Sequence, residues 1–159
     1  MRRQATMVVV VVVLLAFGGT ATAADVIYGF NLVGPQTTQS SSGATITMTG
    51  SGSFDTTAQT VVAGGSFAER DANGLVTMHG SWAATGFTSF DSFGGPNSGH
   101  EGGVLLITVT LFPQGGPPQT GQSMNITCEI DARVITFEGV TVGNFVTPLF
   151  GHTLFHRNN

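Results

Sequence analysis

Residues 24–159 are expected to form one all-β domain behind an N-terminal export segment, and three observations carry that expectation. Apolar and polar residues alternate with period two in several short runs. No run carries the i, i+3, i+4, i+7 apolar stripe of an amphipathic helix. Glycine and proline, 23 and 6 of them, punctuate the 159-residue chain at short intervals, and the glycines lack the G-X-Y period of collagen.

The first element is the export segment. Arg2 and Arg3 precede an apolar run over residues 7–17, and Ala21-Thr22-Ala23 follows as a small-residue A-x-A site. The run is too short for a membrane-spanning helix, which needs about 20 apolar residues. The expectation is a signal-peptide helix over residues 1–23, cut between Ala23 and Ala24. The chain left after cleavage is secreted or extracellular, or periplasmic if the source is a Gram-negative bacterium, and is not held in a membrane.

Strand candidates follow in chain order. Residues 26–33 and 60–68 alternate weakly, whereas 44–49 alternates cleanly, with Ile46 and Met48 opposite Thr45, Thr47 and Thr49. Residues 75–82 place Val76, Met78 and Trp82 against Thr77, His79 and Ser81. The run 104–112 starts apolar on both faces, as a central strand does. Residues 124–131 alternate without a break, and 134–138, 140–147 and 153–156 are weaker candidates. Asn73-Gly74 carries the signature of a type I′ hairpin, which needs positive φ at both central residues. Gly34-Pro35, the 115–118 Gly-Gly-Pro-Pro run and Glu138-Gly139 mark further breaks. The triplets Gly52-Ser53-Phe54, Gly65-Ser66-Phe67 and Gly80-Ser81-Trp82 recur, with the glycine read as relieving crowding beside the aromatic and the aromatics as lining one level of a sheet.

Charge narrows the architecture. The chain has nine acids, five arginines and no lysine, and loss of residues 1–23 leaves a net charge of about −6, three arginines against nine acids. Such a surface supplies no basic stripe for phosphates, so nucleic acid is excluded as a partner. A 41% hydrophobic content with few charges excludes a disordered tail. Open sheets guard their edges with Lys above all, and closure removes the edges altogether. The fold expected is therefore an antiparallel up-and-down β-barrel of about eight strands, with a two-sheet β-sandwich as the alternative. Cys128 is the only cysteine, so no internal disulfide supports the core.

Gly64-Gly65-Ser66-Phe67 resembles the glycine-rich strand of dirigent and allene oxide cyclase-like barrels, which have eight strands. The likeness spans those four residues and carries no catalytic residue with it.

Candidate sites are few. The Gly-rich stretch 93–103 is long for a hairpin loop, and Asp91, Asn97, His100 and Glu101 would gather there if it formed a mouth. Tyr28 and Trp82 join Asp91, His100 and Glu101 as candidate ligand-binding residues, since each aromatic pairs an apolar body with one donor; packing in the core is the commoner role. His152 and His156 lie about 13 Å apart if both are on one strand, too far for one zinc with its bonds of about 2.1 Å. Cys128 shares its face with Met124, Ile126 and Ile130, which reads as an inert core thiol. Asn125-Ile126-Thr127 matches an N-glycosylation acceptor on the outward face. A phosphate cradle needs a glycine loop opening a helix, usually with a Lys, and neither is present; no metal or cofactor is expected. The function expected is a non-catalytic module binding a small apolar or aromatic ligand. The alternatives are a structural or cell-surface protein that self-associates, and an enzyme built on residues 91–101.

Overall fold

The computed structural model describes residues 26–95, 99–130 and 137–158. The expected signal segment, the cleavage site expected at Ala23/Ala24, Asn97 and most of the 134–138 strand candidate lie outside them. Nine strands form in chain order: β1 Ile27–Ser40, β2 Thr45–Asp55, β3 Thr60–Arg70, β4 Val76–Gly94, β5 His100–Pro113, β6 Gln119–Cys128, β7 Gly139–Val142, β8 Phe145–Phe150 and β9 Thr153–Asn158. The described residues contain no helix. All nine strands belong to one antiparallel sheet, and because β1 pairs with both β2 and β8 the hydrogen-bonded path returns to its start.

Closure takes two routes. At one end β1 to β8 pair in sequence order; at the other, β9 pairs residues 27–32 of β1 on one side and His100 and Glu101 of β5 on the other. The sheet therefore has an eight-strand end and a six-strand end. β8 and β9 share β1 as neighbour and are separated only by Gly151 and His152. Facing that break, the β1–β2 register slips between Leu32 and Gln36. The two irregularities are tied together: the Val33 N–H donates to the His152 carbonyl at 2.8 Å, and the buried Gln36 amide donates to the same oxygen at 2.9 Å. Glu138 fastens the other side, accepting from the Thr153 N–H at 2.9 Å and meeting His152 Nδ1 at 2.7 Å.

Pairing is incomplete at one place. β3 and β4 pair from Gly64↔Ala83 to Arg70↔Val76, which leaves residues 60–63 of β3 and 84–94 of β4 without a partner on their facing edges. This seam opens only toward the six-strand end. β4 shifts register three times along β5 there, at Ala84/Gly86, Phe87/Ser89 and Ser92/Gly94. Bulges of this kind blunt an edge that has no Lys to guard it.

Alternation puts one face of most strands inside, with β8 the exception. Ile46, Met48, Ile107, Val109, Met124 and Ile126 are fully buried, each contributing about 1.5–3 kcal/mol through removal from water. The six-strand end is filled by aromatic rings instead. Phe54 lies 4.8 Å from Phe90 and 5.1 Å from Tyr28, and Phe155 meets Phe90 edge-on at 5.3 Å, centroid to centroid.

Several expectations need correction. Strand β4 runs to Gly94 rather than ending near Trp82, and β5 begins at His100, so the connection is far shorter than the 93–103 loop read from the sequence. The 140–147 candidate is two strands with a Gly143-Asn144 turn, where Gly143 has φ 53° and Asn144 is not left-handed, as in a type II′ hairpin. At Asn73-Gly74 only Gly74 is left-handed, φ 84°, so the turn is not type I′. Asp71 is the reason: its carboxylate accepts from the N–H groups of Asn73 and Leu75, both at 2.9 Å, and widens the connection. Phe137 and Glu138 are not in a strand. The Gly-Ser-aromatic triplets stand at different levels. Phe67 pairs with Gly80 and Trp82 with Gly65; a Cβ on Gly65 would strike the Trp82 ring, whereas one on Gly80 would strike the Phe112 carbonyl of β5.

Candidate functional site

Two polar groupings interrupt the apolar interior, one at each end. The first surrounds Glu101, the second residue of β5, whose side chain points inward because its cross-strand partner is the fully buried Phe155. Glu101 is 8% exposed and faces three donors. Tyr28 Oη donates to Oε1 at 3.3 Å, Ser92 Oγ donates to the same oxygen, and Arg157 Nη2 lies 3.6 Å from Oε2. Arg157 also donates to Tyr28 Oη at 3.1 Å, with its guanidinium 5.6 Å from the ring centroid. A buried carboxylate with this many partners is a clasp, joining β1, β4, β5 and β9 over the aromatic cluster.

Two of the five sequence-derived candidates, Tyr28 and Glu101, thus meet, and three do not. His100 precedes Glu101 and faces outward beside His156. Asp91 is exposed opposite Val104 on the outer face. Acid/base partners act within hydrogen-bond reach or through one water, and residues on opposite faces of a strand do not offer that. Trp82 is 2% exposed, its Nε1–H donates to the Thr49 carbonyl at 2.9 Å, and its ring packs over Gly65. It serves as core.

The second grouping forms a cleft of about 570 Å³ at the eight-strand end. Met78, Leu111, Val142 and Phe145 supply its apolar surface; Glu69, Gln119 and Gln122 supply polar groups; Ser40, Ser41 and Ser42 form part of the rim. Glu69 pairs with Ile46 on one side and Met78 on the other, which fixes its side chain on the inner face. It is half-buried, and burial pushes its carboxyl pKa above the ordinary glutamate value. Gln119 Nε2 donates to Met78 Sδ at 3.4 Å, leaving its carbonyl oxygen as an acceptor.

The sequence reading missed this cleft because its lining comes from seven strands and two turns. One signal was present: continuing the period of Val61, Ala63, Gly65 and Phe67 by one step puts the carboxylate of Glu69 on an inner position.

The remaining candidates are placed as follows. Cys128 is fully buried, and burial, ahead of nearby hydrogen bonds, pushes its thiol pKa up. His152 stands in the break between β8 and β9, and His156 lies against Gly29 on the outer face. Asn125 is half-buried on the outer face of β6, in a groove with Val104, Thr141 and Pro148, and its Oδ1 accepts from Thr127 Oγ1 at 3.2 Å. Among the described residues no three His, Cys, Asp or Glu side chains gather in metal-binding geometry. Comparisons with protein-family models, curated proteins and solved structures find no match.

Proposed function

We propose that the protein is an exported, non-catalytic binding module that takes a small ligand with an apolar body into the cleft at the eight-strand end. The observation that carries this reading is the cleft itself: about 570 Å³, above the roughly 300 Å³ where ligand sites begin, with a floor of Met78, Leu111, Val142 and Phe145. The continuous pairing from β1 through β8 and back supports describing the scaffold as an up-and-down barrel rather than a two-sheet sandwich. Export rests on Arg2, Arg3, the apolar run 7–17 and the A-x-A site before Ala24. Tyr28, Trp82 and Glu101 support the site at a distance by holding the walls together.

Ligand-observed NMR against a panel of small aromatic and aliphatic compounds tests the reading. Saturable binding that is lost in Ser42→Trp, which fills the rim from an exposed position, is the expected result. Absence of saturable binding across the panel, or binding indifferent to Ser42→Trp, overturns it.

A second reading, self-association, draws on exposed apolar side chains of β8: Val146, Leu149 and Phe150 are 61%, 53% and 64% exposed. Sedimentation velocity showing a monomer at every concentration removes it.

A further inference from the structure

We infer that the cleft at the eight-strand end selects ligands carrying a protonated amine on a compact apolar body, with Glu69 as the counter-ion. This rests on the proposal that the cleft is the binding site and adds the chemical class of its occupant.

The argument begins with what lines the cleft. Glu69 is the only charged residue among the lining side chains, and none of them is Arg, Lys or His. Among the described residues no cationic side chain makes an ion pair with it. The next residue, Arg70, faces outward, where its Nη1 donates to the Gly74 carbonyl at 3.1 Å. Since the chain has no lysine, it has no flexible ammonium of its own to bring inside. The carboxylate thus carries part of the cost of leaving water without an internal partner to offset it, consistent with the upward push on its pKa.

An ammonium meets these conditions. It has three donors and no acceptor, so it needs a site rich in acceptors. The Glu69 carboxylate, the Gln119 carbonyl and the hydroxyls of Ser40 and Ser42 are such acceptors, and charge-assisted hydrogen bonds to a carboxylate are about twice as strong as neutral ones. The apolar floor then receives the body of the ligand. An anion would face an uncompensated carboxylate. A divalent metal would find one carboxylate where calcium takes 6–8 oxygens.

Isothermal titration calorimetry with two probes of equal shape separates the terms: 2-phenylethylamine and uncharged 2-phenylethanol, each titrated into wild type and Glu69→Gln. The expected result is at least tenfold tighter binding of the amine by wild type, loss of that preference in Glu69→Gln, and an unchanged alcohol affinity. In wild type the preference also falls on acidification through the Glu69 pKa, and in Glu69→Gln it does not. Equal binding of amine and alcohol by wild type overturns the amine inference while leaving the cleft as a binding site. Binding of neither probe overturns the inference and counts against the cleft as well. A preference that survives in correctly folded Glu69→Gln, verified by circular dichroism, also overturns the assignment to Glu69.

Discussion

Gly65 shows how much one missing side chain contributes. A Cβ there would lie 1.9 Å from the Thr49 carbonyl oxygen and 2.7 Å from Trp82 Nε1, so no rotamer change relieves it and two strands must part. Gly65→Ala is expected to cost about 3 kcal/mol, the upper part of the range for overpacking. Gly74 differs in kind: φ is 84° and nothing lies within 4 Å of the added atom, so Gly74→Ala costs about 1–2 kcal/mol of backbone strain. Urea denaturation of the two variants checks the order. Glu69 gives a pH-dependent counterpart. Its pKa is raised in the folded protein, so between the unfolded value of about 4.3 and the folded value the native state binds more protons than the unfolded chain. Stability therefore falls as pH rises through that window, and the penalty is complete above it. Glu69→Gln should melt above wild type at neutral pH and level with it below about pH 4, where both side chains are uncharged; thermal melts across pH 3–8 read the difference.

At the level of strands, regular alternation made some elements legible and bulges hid others. β6 was visible because Met124, Ile126 and Cys128 are buried at every second position with no interruption. β4 was visible only as far as Trp82. Beyond it Phe87 and Phe90 are three residues apart, because the register shifts between Phe87 and Ser89, and a spacing of three carries no strand period. Thr, Ser, Gly and Asp fill the gaps, so an extended strand has the composition of a loop. The cleft was harder still, since the turn residues 41–44 and 143–144 meet Glu69 and Leu111 only after the ring has closed. What β8 and β9 share is also invisible in sequence: Glu138 holds their junction from a segment that is not a strand. Glu138→Ala removes the acceptor for the Thr153 N–H and the partner of His152. It should cost about 1–3 kcal/mol, the penalty for leaving a donor unmet, and should speed amide exchange at Thr153 more than at Met124. Hydrogen exchange followed by NMR measures both.

For the molecule as a whole, the seam and the closed end divide one sheet into regions of unequal stability. Residues 84–94 have hydrogen-bonded neighbours on one side only, whereas β5 is paired on both sides along residues 103–109. Amides of the unpaired β4 edge should exchange fastest among the strands and those of Leu105 and Ile107 slowest; uniform protection along β4 would contradict the open seam. The ring also has a consequence in time. Its closure joins β1 to β8 and β9, the two ends of the described order, so Phe30 and Phe155 cannot meet until nearly all intervening strands have been made. Contacts this far apart in sequence form late and slowly. A chain synthesised from its N-terminus thus holds one flank of β1 open throughout elongation, and the ring is finished only when its last strands arrive.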